Sequence, residues 1–127
     1  MESFSSASFL RRVAERAGLS AAVGGDLAEA TLRGLGEQLA AEHAAAFAAE
    51  LPPILEGWLT AARPGNTRGL ATLLERLARG DGRGLSFCAQ HAAVVLQVLA
   101  EMLRPAAVLA LIQALPSDVA ALLQRPG

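Results

Sequence analysis

Residues 86–103, SFCAQHAAVVLQVLAEML, leave this chain little choice of fold. Read as a helix, they place Gln90, Gln97 and Glu101, with Ser86 ahead of them, in one narrow polar line. His91 stands beside that line. Nearly all the remaining circumference is Ala, Val, Leu, Phe, Cys or Met. A helix that is apolar on almost every side has to be enclosed by other helices. The rest of the chain is therefore expected to wrap this segment, with Ser86 as its N-cap.

A chain of 127 residues can supply such a wrapping without disulfide or metal support. It is expected to form one all-α domain over residues 1–127. No window alternates β-branched and polar residues for long enough to suggest a strand. The hydrophobic share of 53% comes mostly from Ala and Leu, and aromatics are few. Small residues of this kind suit helices packed at short range. All 11 basic residues are arginine, which together with the Ala, Gly and Pro excess reads as GC-rich coding. The net charge of −1 offers no global field for nucleic acid or an anionic membrane. Cys88 is the lone cysteine and falls on the apolar helix, which suits a buried thiol in a reducing cytoplasm. The N-terminus lacks the charged and apolar regions of a signal peptide. The 86–103 helix is slightly short for a membrane span, and its polar residues interrupt it.

The remaining elements follow from periodicity and punctuation. Ser8 is placed to cap a helix over 9–17, ended by Gly18. Residues 19–25 read as a loop or a loose helical start closing with Gly24-Gly25, and Asp26 as the cap of a second helix to 39. Gly34 and Gly36 weaken that helix but let a neighbour come close. A third helix spans 41–50 and turns Phe47 inward. Pro52 breaks the chain, and Pro53 starts a fourth helix to about 60. Residues 61–69 are the clearest linker. A fifth helix is expected over 70–79, followed by a GDGRG loop at 80–84. Pro105 starts a helix to about 114, Leu115-Pro116 breaks it, and Ser117 or Asp118 starts a last one through 123.

The same unit occurs twice. Shifted by about 64 positions, Leu10 meets Leu74, Arg12 meets Arg76, Gly18 meets Gly82, Leu32 meets Leu96 and Glu37 meets Glu101. Leu51-Pro52 meets Leu115-Pro116. The expected architecture is a compact bundle of two similar multi-helix units, 8–60 and 70–123, sharing one core. The segments FLRRVAERAGL and ELPPILEGWL, echoed by ALPSDVAALL, resemble the bacterial family of domain of unknown function 2267. The resemblance covers roughly residues 8–123. It implies a small all-helical protein of two copies, with an F-L-x-x-V-A-x-x-x-G-L start and an L-P before each last short helix. The second copy departs from that pattern, since Asp81-Gly82-Arg83 stands where the first has Ala17-Gly18-Leu19. The resemblance supplies neither an activity nor catalytic residues.

No constellation in the sequence supports nucleophilic, metal or cofactor chemistry, and the chain is expected not to be an enzyme. Cys88 and His91 share a helix face, but a metal site wants three or four ligands and His43 is the only other histidine. They read as a buried thiol beside a partly buried imidazole, and His43 as a surface residue. Glu37 and Glu101 could converge as an acid–base pair; solvated positions, with Glu101 beside Arg104, are the preferred reading. Arg63, Arg68, Arg76, Arg79 and Arg83 face only Glu75 and Asp81 within their run, so Arg76, Arg79 and Arg83 are the candidate anion contacts. Trp58 is read as core packing, with an exposed partner anchor as the functional alternative. The leading expectation is a cytoplasmic interaction module, self-associating or docking another protein through apolar helix surface. A binder of a small apolar ligand is the alternative, with Gln90, His91 and Gln97 as polar contacts. Anion or nucleic-acid binding through 63–83 is the third reading. Neither nucleic acid nor membrane is an expected partner, and no cofactor is implied.

Overall fold

The computed structural model describes residues 4–61, 69–81 and 84–124, and the regular structure within them is entirely helical. In chain order the helices are α1 (Ser6–Ala17), α2 (Ala21–Glu37), α3 (Ala41–Ala48), α4 (Pro53–Ala61), α5 (Leu70–Asp81), α6 (Leu85–Met102), α7 (Pro105–Ala114) and α8 (Ser117–Gln124). All eight contribute to one cluster of buried apolar residues.

Helix α6 is enclosed as its composition requires, with α1, α2, α5 and α8 against it. Cys88, Ala92, Val95, Leu96, Val98 and Leu99 are fully buried along it. It is long and apolar enough to cross a membrane by length and composition, but here its apolar faces are spent on neighbouring helices. The centre is shared, however. Helix α2 packs against α1, α4, α5 and α6, and buries Leu27, Ala28, Leu32 and Leu35.

Glycine sets the distance of two of these contacts. A Cβ on Gly24 would lie 3.0 Å from the Ala14 Cβ, so α1 and α2 nearly touch backbones there. A Cβ on Gly34 would lie 2.5 Å from Leu73 Cδ1, so Leu73 of α5 sits directly over that glycine. The close approach expected at Gly34 is thus present. Gly24 and Gly25 lie inside α2, so of the two readings of 19–25 the helical start is the one present.

Three helix starts differ from the expectation. The cap of α1 is Ser5, whose Oγ accepts the Ser8 N–H at 3.1 Å while Ser8 Oγ accepts the Ser5 N–H. Ser8 is therefore the inner half of a reciprocal capping box. Helix α2 begins at Ala21, with the Ser20 hydroxyl accepting from Val23 N–H, so Asp26 is an exposed residue of its second turn. Helix α6 begins after Gly84, which places Ser86 within its first turn and leaves the helix without a side-chain cap. Helix α5 also runs past Arg79, to Asp81. The 62–68 part of the linker and residues 82–83 of the GDGRG stretch lie outside the described residues. Helix α7 has the expected bounds.

Ion pairs join helices at the rim. Arg16 donates to both oxygens of Glu101, at 2.7 and 2.8 Å, and Arg12 lies 3.7 Å away. Arg76 donates its Nε–H to Glu37 at 2.8 Å. Glu101 therefore pairs with Arg16 and Arg12, and Arg104 reaches instead to Glu50. Glu37 and Glu101 each have their own arginine and form no carboxylate dyad. Hydrogen bonds from Arg16, reinforced by the charges of Arg16 and Arg12, hold the Glu101 carboxyl below its ordinary range.

The space around Gly34 and Gly57 predicts opposite signs for two substitutions. Gly34→Ala should lower unfolding stability by roughly 1–2 kcal/mol, because overpacking against buried Leu73 outweighs the gain in helix propensity. Gly57→Ala, whose Cβ would meet nothing within 4 Å, should raise it by about 0.5–1 kcal/mol. Urea denaturation of the two variants reads both signs. The lowered folded pKa of Glu101 means its contribution is present above the unfolded value of about 4.3 and fades as pH falls through the folded value. With 39% of its side chain exposed, screening keeps that contribution below about 1 kcal/mol. Glu101→Gln should cost that much at pH 7 and progressively less below about pH 4 in paired denaturation curves.

Candidate functional site

Helix α7, PAAVLALIQA, has no charged residue, yet it buries only Ala107 and Leu111. Pro105 at its first position and the Leu115-Pro116 break confine it to 10 residues. Its neighbour α3 also buries only two residues, Phe47 and Ala48, and leaves Ala41, Ala45 and Ala46 exposed, although it carries Glu42. The two helices pack together. Because alanine fills so little of the space between them, a groove of about 240 Å³ remains. Leu39, Ala46 and Phe47 line one side, and Ala107, Ala110 and Leu111 the other.

Charge is confined to the ends of the groove. Arg104, at the N-cap of α7, donates Nε–H and Nη2–H to the two oxygens of Glu50, both at 2.9 Å. These bonds and the attraction of the guanidinium hold the Glu50 carboxyl below its usual range. His43, one of the lining residues, is exposed, as expected. Leu109 lies on the outer side of α7 and is 57% exposed, the most exposed of the large apolar side chains among the described residues. An apolar floor with a closed ion pair at one end can hold an apolar group. It presents no aligned nucleophile, base and oxyanion donor.

The residues singled out in the sequence lie elsewhere. Gln90 is exposed on α6, and Gln97 is half-buried. His91 is buried, its Nδ1 2.9 Å from the Phe87 carbonyl and its ring 4.2 Å from the Phe87 ring. None of the three lines the groove. Cys88 is buried three residues before His91 on α6, and the described residues contain no group of three or more His, Cys, Asp or Glu that could hold a metal. Trp58 is half-buried against the core. Of the arginine run, Arg76 is committed to Glu37 and Arg79 is exposed. Arg63, Arg68 and Arg83 lie outside the described residues. The groove itself escaped the sequence reading. Its one visible signal was the uncharged stretch of α7, which periodicity alone assigns to the core.

No curated protein matches this chain. A family model described as "Uncharacterized conserved protein (DUF2267)" matches residues 6–122, nearly the whole length and the whole of the helical array from α1 into α8. The chain belongs to the DUF2267 family.

Proposed function

We propose that this protein is a non-enzymatic helical interaction module of the cytoplasm, and that it docks an amphipathic helix of another protein on the α3–α7 face. The observation that carries this reading is the exposure of α7, an uncharged helix with only two of its residues buried. At roughly 300 Å² the face matches the largest apolar patch of an ordinary small protein, and such patches are often functional.

Size argues for the occupant. A 10-residue helix is about 15 Å long, and two helices about 10 Å apart present a face of roughly 300 Å². A stable dimer needs about 800 Å² from each partner, so a second copy of this chain would be weakly held there. One inserted helix needs less, because it lays a single apolar stripe into the groove. At about 30 Å³ per water-sized group, 240 Å³ takes about eight non-hydrogen atoms, the bulk of one aromatic side chain. That volume is also below the roughly 300–1,000 Å³ of typical ligand pockets, which favours a protein side chain over a free small molecule. An anion role for the 63–83 stretch has less support, since Arg76 is already neutralised by Glu37.

We also read the chain as a duplicated unit with a pseudo-twofold axis between α2 and α6. The packing pairs correspond under the sequence shift: α1 with α2 as α5 with α6, α2 with α4 as α6 with α8, and α3 with α4 as α7 with α8. The units also interlock, with α1 against α6 and α5 against α2. The Arg12–Glu101 and Arg76–Glu37 contacts are equivalent in the same way. On this reading α3 and α7 are counterparts, and the docking groove lies across the axis.

The test uses a synthetic alanine-rich model helix bearing one phenylalanine, titrated into isotope-labelled protein. Amide shifts should concentrate at Leu39, Ala46, Phe47, Ala110 and Leu111. Ala110→Glu should weaken the interaction by roughly 2 kcal/mol while leaving the fold intact by circular dichroism. Absence of shifts, or shifts spread over other faces, contradicts the proposal.

A further inference from the structure

Among the described residues, the acceptors at the start of α5 come from outside that helix. Gly69 stands at its start, with φ of +131° and no side chain to offer the first turn. Two residues remote in sequence supply acceptors there. Gln38, at the C-cap of α2 and 1% exposed, accepts the Gly69 N–H on Oε1 at 2.7 Å. Asp118, in the first turn of α8, accepts the Leu70 N–H on Oδ2 at 3.0 Å. Its other oxygen accepts the Val119 N–H at 2.8 Å. One carboxylate therefore serves the first turns of two helices, and both N-terminal dipoles favour its charge.

The contrast with α1 gives this arrangement its meaning. Ser5 and Ser8 satisfy the start of α1 from within its own sequence. At the start of α5, the Gly69 and Leu70 N–H groups depend on Gln38 and on Asp118 of α8. Beyond that turn, α5 is held by Leu73 and Leu77 in the core and by the Arg76–Glu37 pair.

We propose that α5 is a separable element of the fold, clasped at its first turn by Gln38 and Asp118, and that it opens as one unit when the clasp is released. Opening uncovers Leu73, Leu77 and the Gly34 side of α2, an apolar cleft that the closed molecule hides. The position of α8 thereby governs the attachment of a helix remote from it in sequence. This inference is independent of what the α3–α7 groove holds.

Native-state hydrogen exchange on the full chain tests it, with wild type, Asp118→Ala, Asp118→Asn and Gln38→Ala compared. Asp118→Ala and Gln38→Ala should each reduce protection of α5 amides roughly tenfold, the factor that one lost buried or charged hydrogen bond brings. The first turn of α8 should follow in the Asp118→Ala variant. In the wild type, α5 amides should share one opening free energy that lies below the value shown by the most protected amides of α1, α2 and α6, which report global unfolding. Asp118→Asn, which keeps an acceptor oxygen, should retain most of the protection and covers the case that the alanine variant does not fold. Wild-type α5 amides that exchange at the same free energy as the most protected amides of α1, α2 and α6 would overturn the proposal, as would unchanged protection of α5 in both alanine variants.

Discussion

The closeness with which α1 and α5 approach α2 governs the packing of this molecule. Gly24 lets the Ala14 backbone come within contact of α2, and Gly34 receives Leu73. With those two distances set, the leucines of α2 and α6 meet in a common core, and little space is left for large aromatic side chains. This is consistent with a core built chiefly from leucine, alanine and valine, with Phe9 and Phe47 as its aromatic members. The apolar character of α6 is then a consequence of position: a helix with neighbours on four of its sides keeps only a thin polar line, ending at Glu101.

Polar groups contribute placement more than stability. The arginine–glutamate pairs lie at the rim, where solvent screening limits each to a small part of the folding free energy. What they do is fix which helix ends meet. Glu101 ties the end of α6 to α1, Glu37 ties the end of α2 to α5, and Glu50 ties the chain after α3 to the start of α7. Buried polar groups carry more weight per contact, and Gln38 is the clearest instance, since its amide lies almost wholly out of water.

Much of the helix order could be read in the sequence because proline and glycine mark its joints. Pro105 and Leu115-Pro116 bound α7 correctly, and Pro53 begins α4 as expected. Caps were less legible. Ser5 and Ser8 are both competent acceptors at the start of α1, and only the three-dimensional turn decides that they act together. Asp26 offered a strong cap, but Ser20 begins the helix earlier, since α2 needs Gly24 inside it to admit α1. The groove and the α5 clasp lay beyond local pattern altogether. Glu50 and Arg104 are separated by 54 positions, and Asp118 reaches 48 positions back to Leu70. Neither pairing leaves a trace in periodicity.

An uncharged helix left on the surface is the functional centre of this account, and the size of its face decides what covers it. Sedimentation equilibrium of the purified chain at neutral pH, carried to high micromolar concentration, tests that most directly. A face of roughly 300 Å² predicts a monomer across the range, with α7 free for a partner's helix. A stable dimer that Leu109→Glu converts to monomer would contradict the account, because it would show that a second copy of this chain already occupies the α3–α7 face.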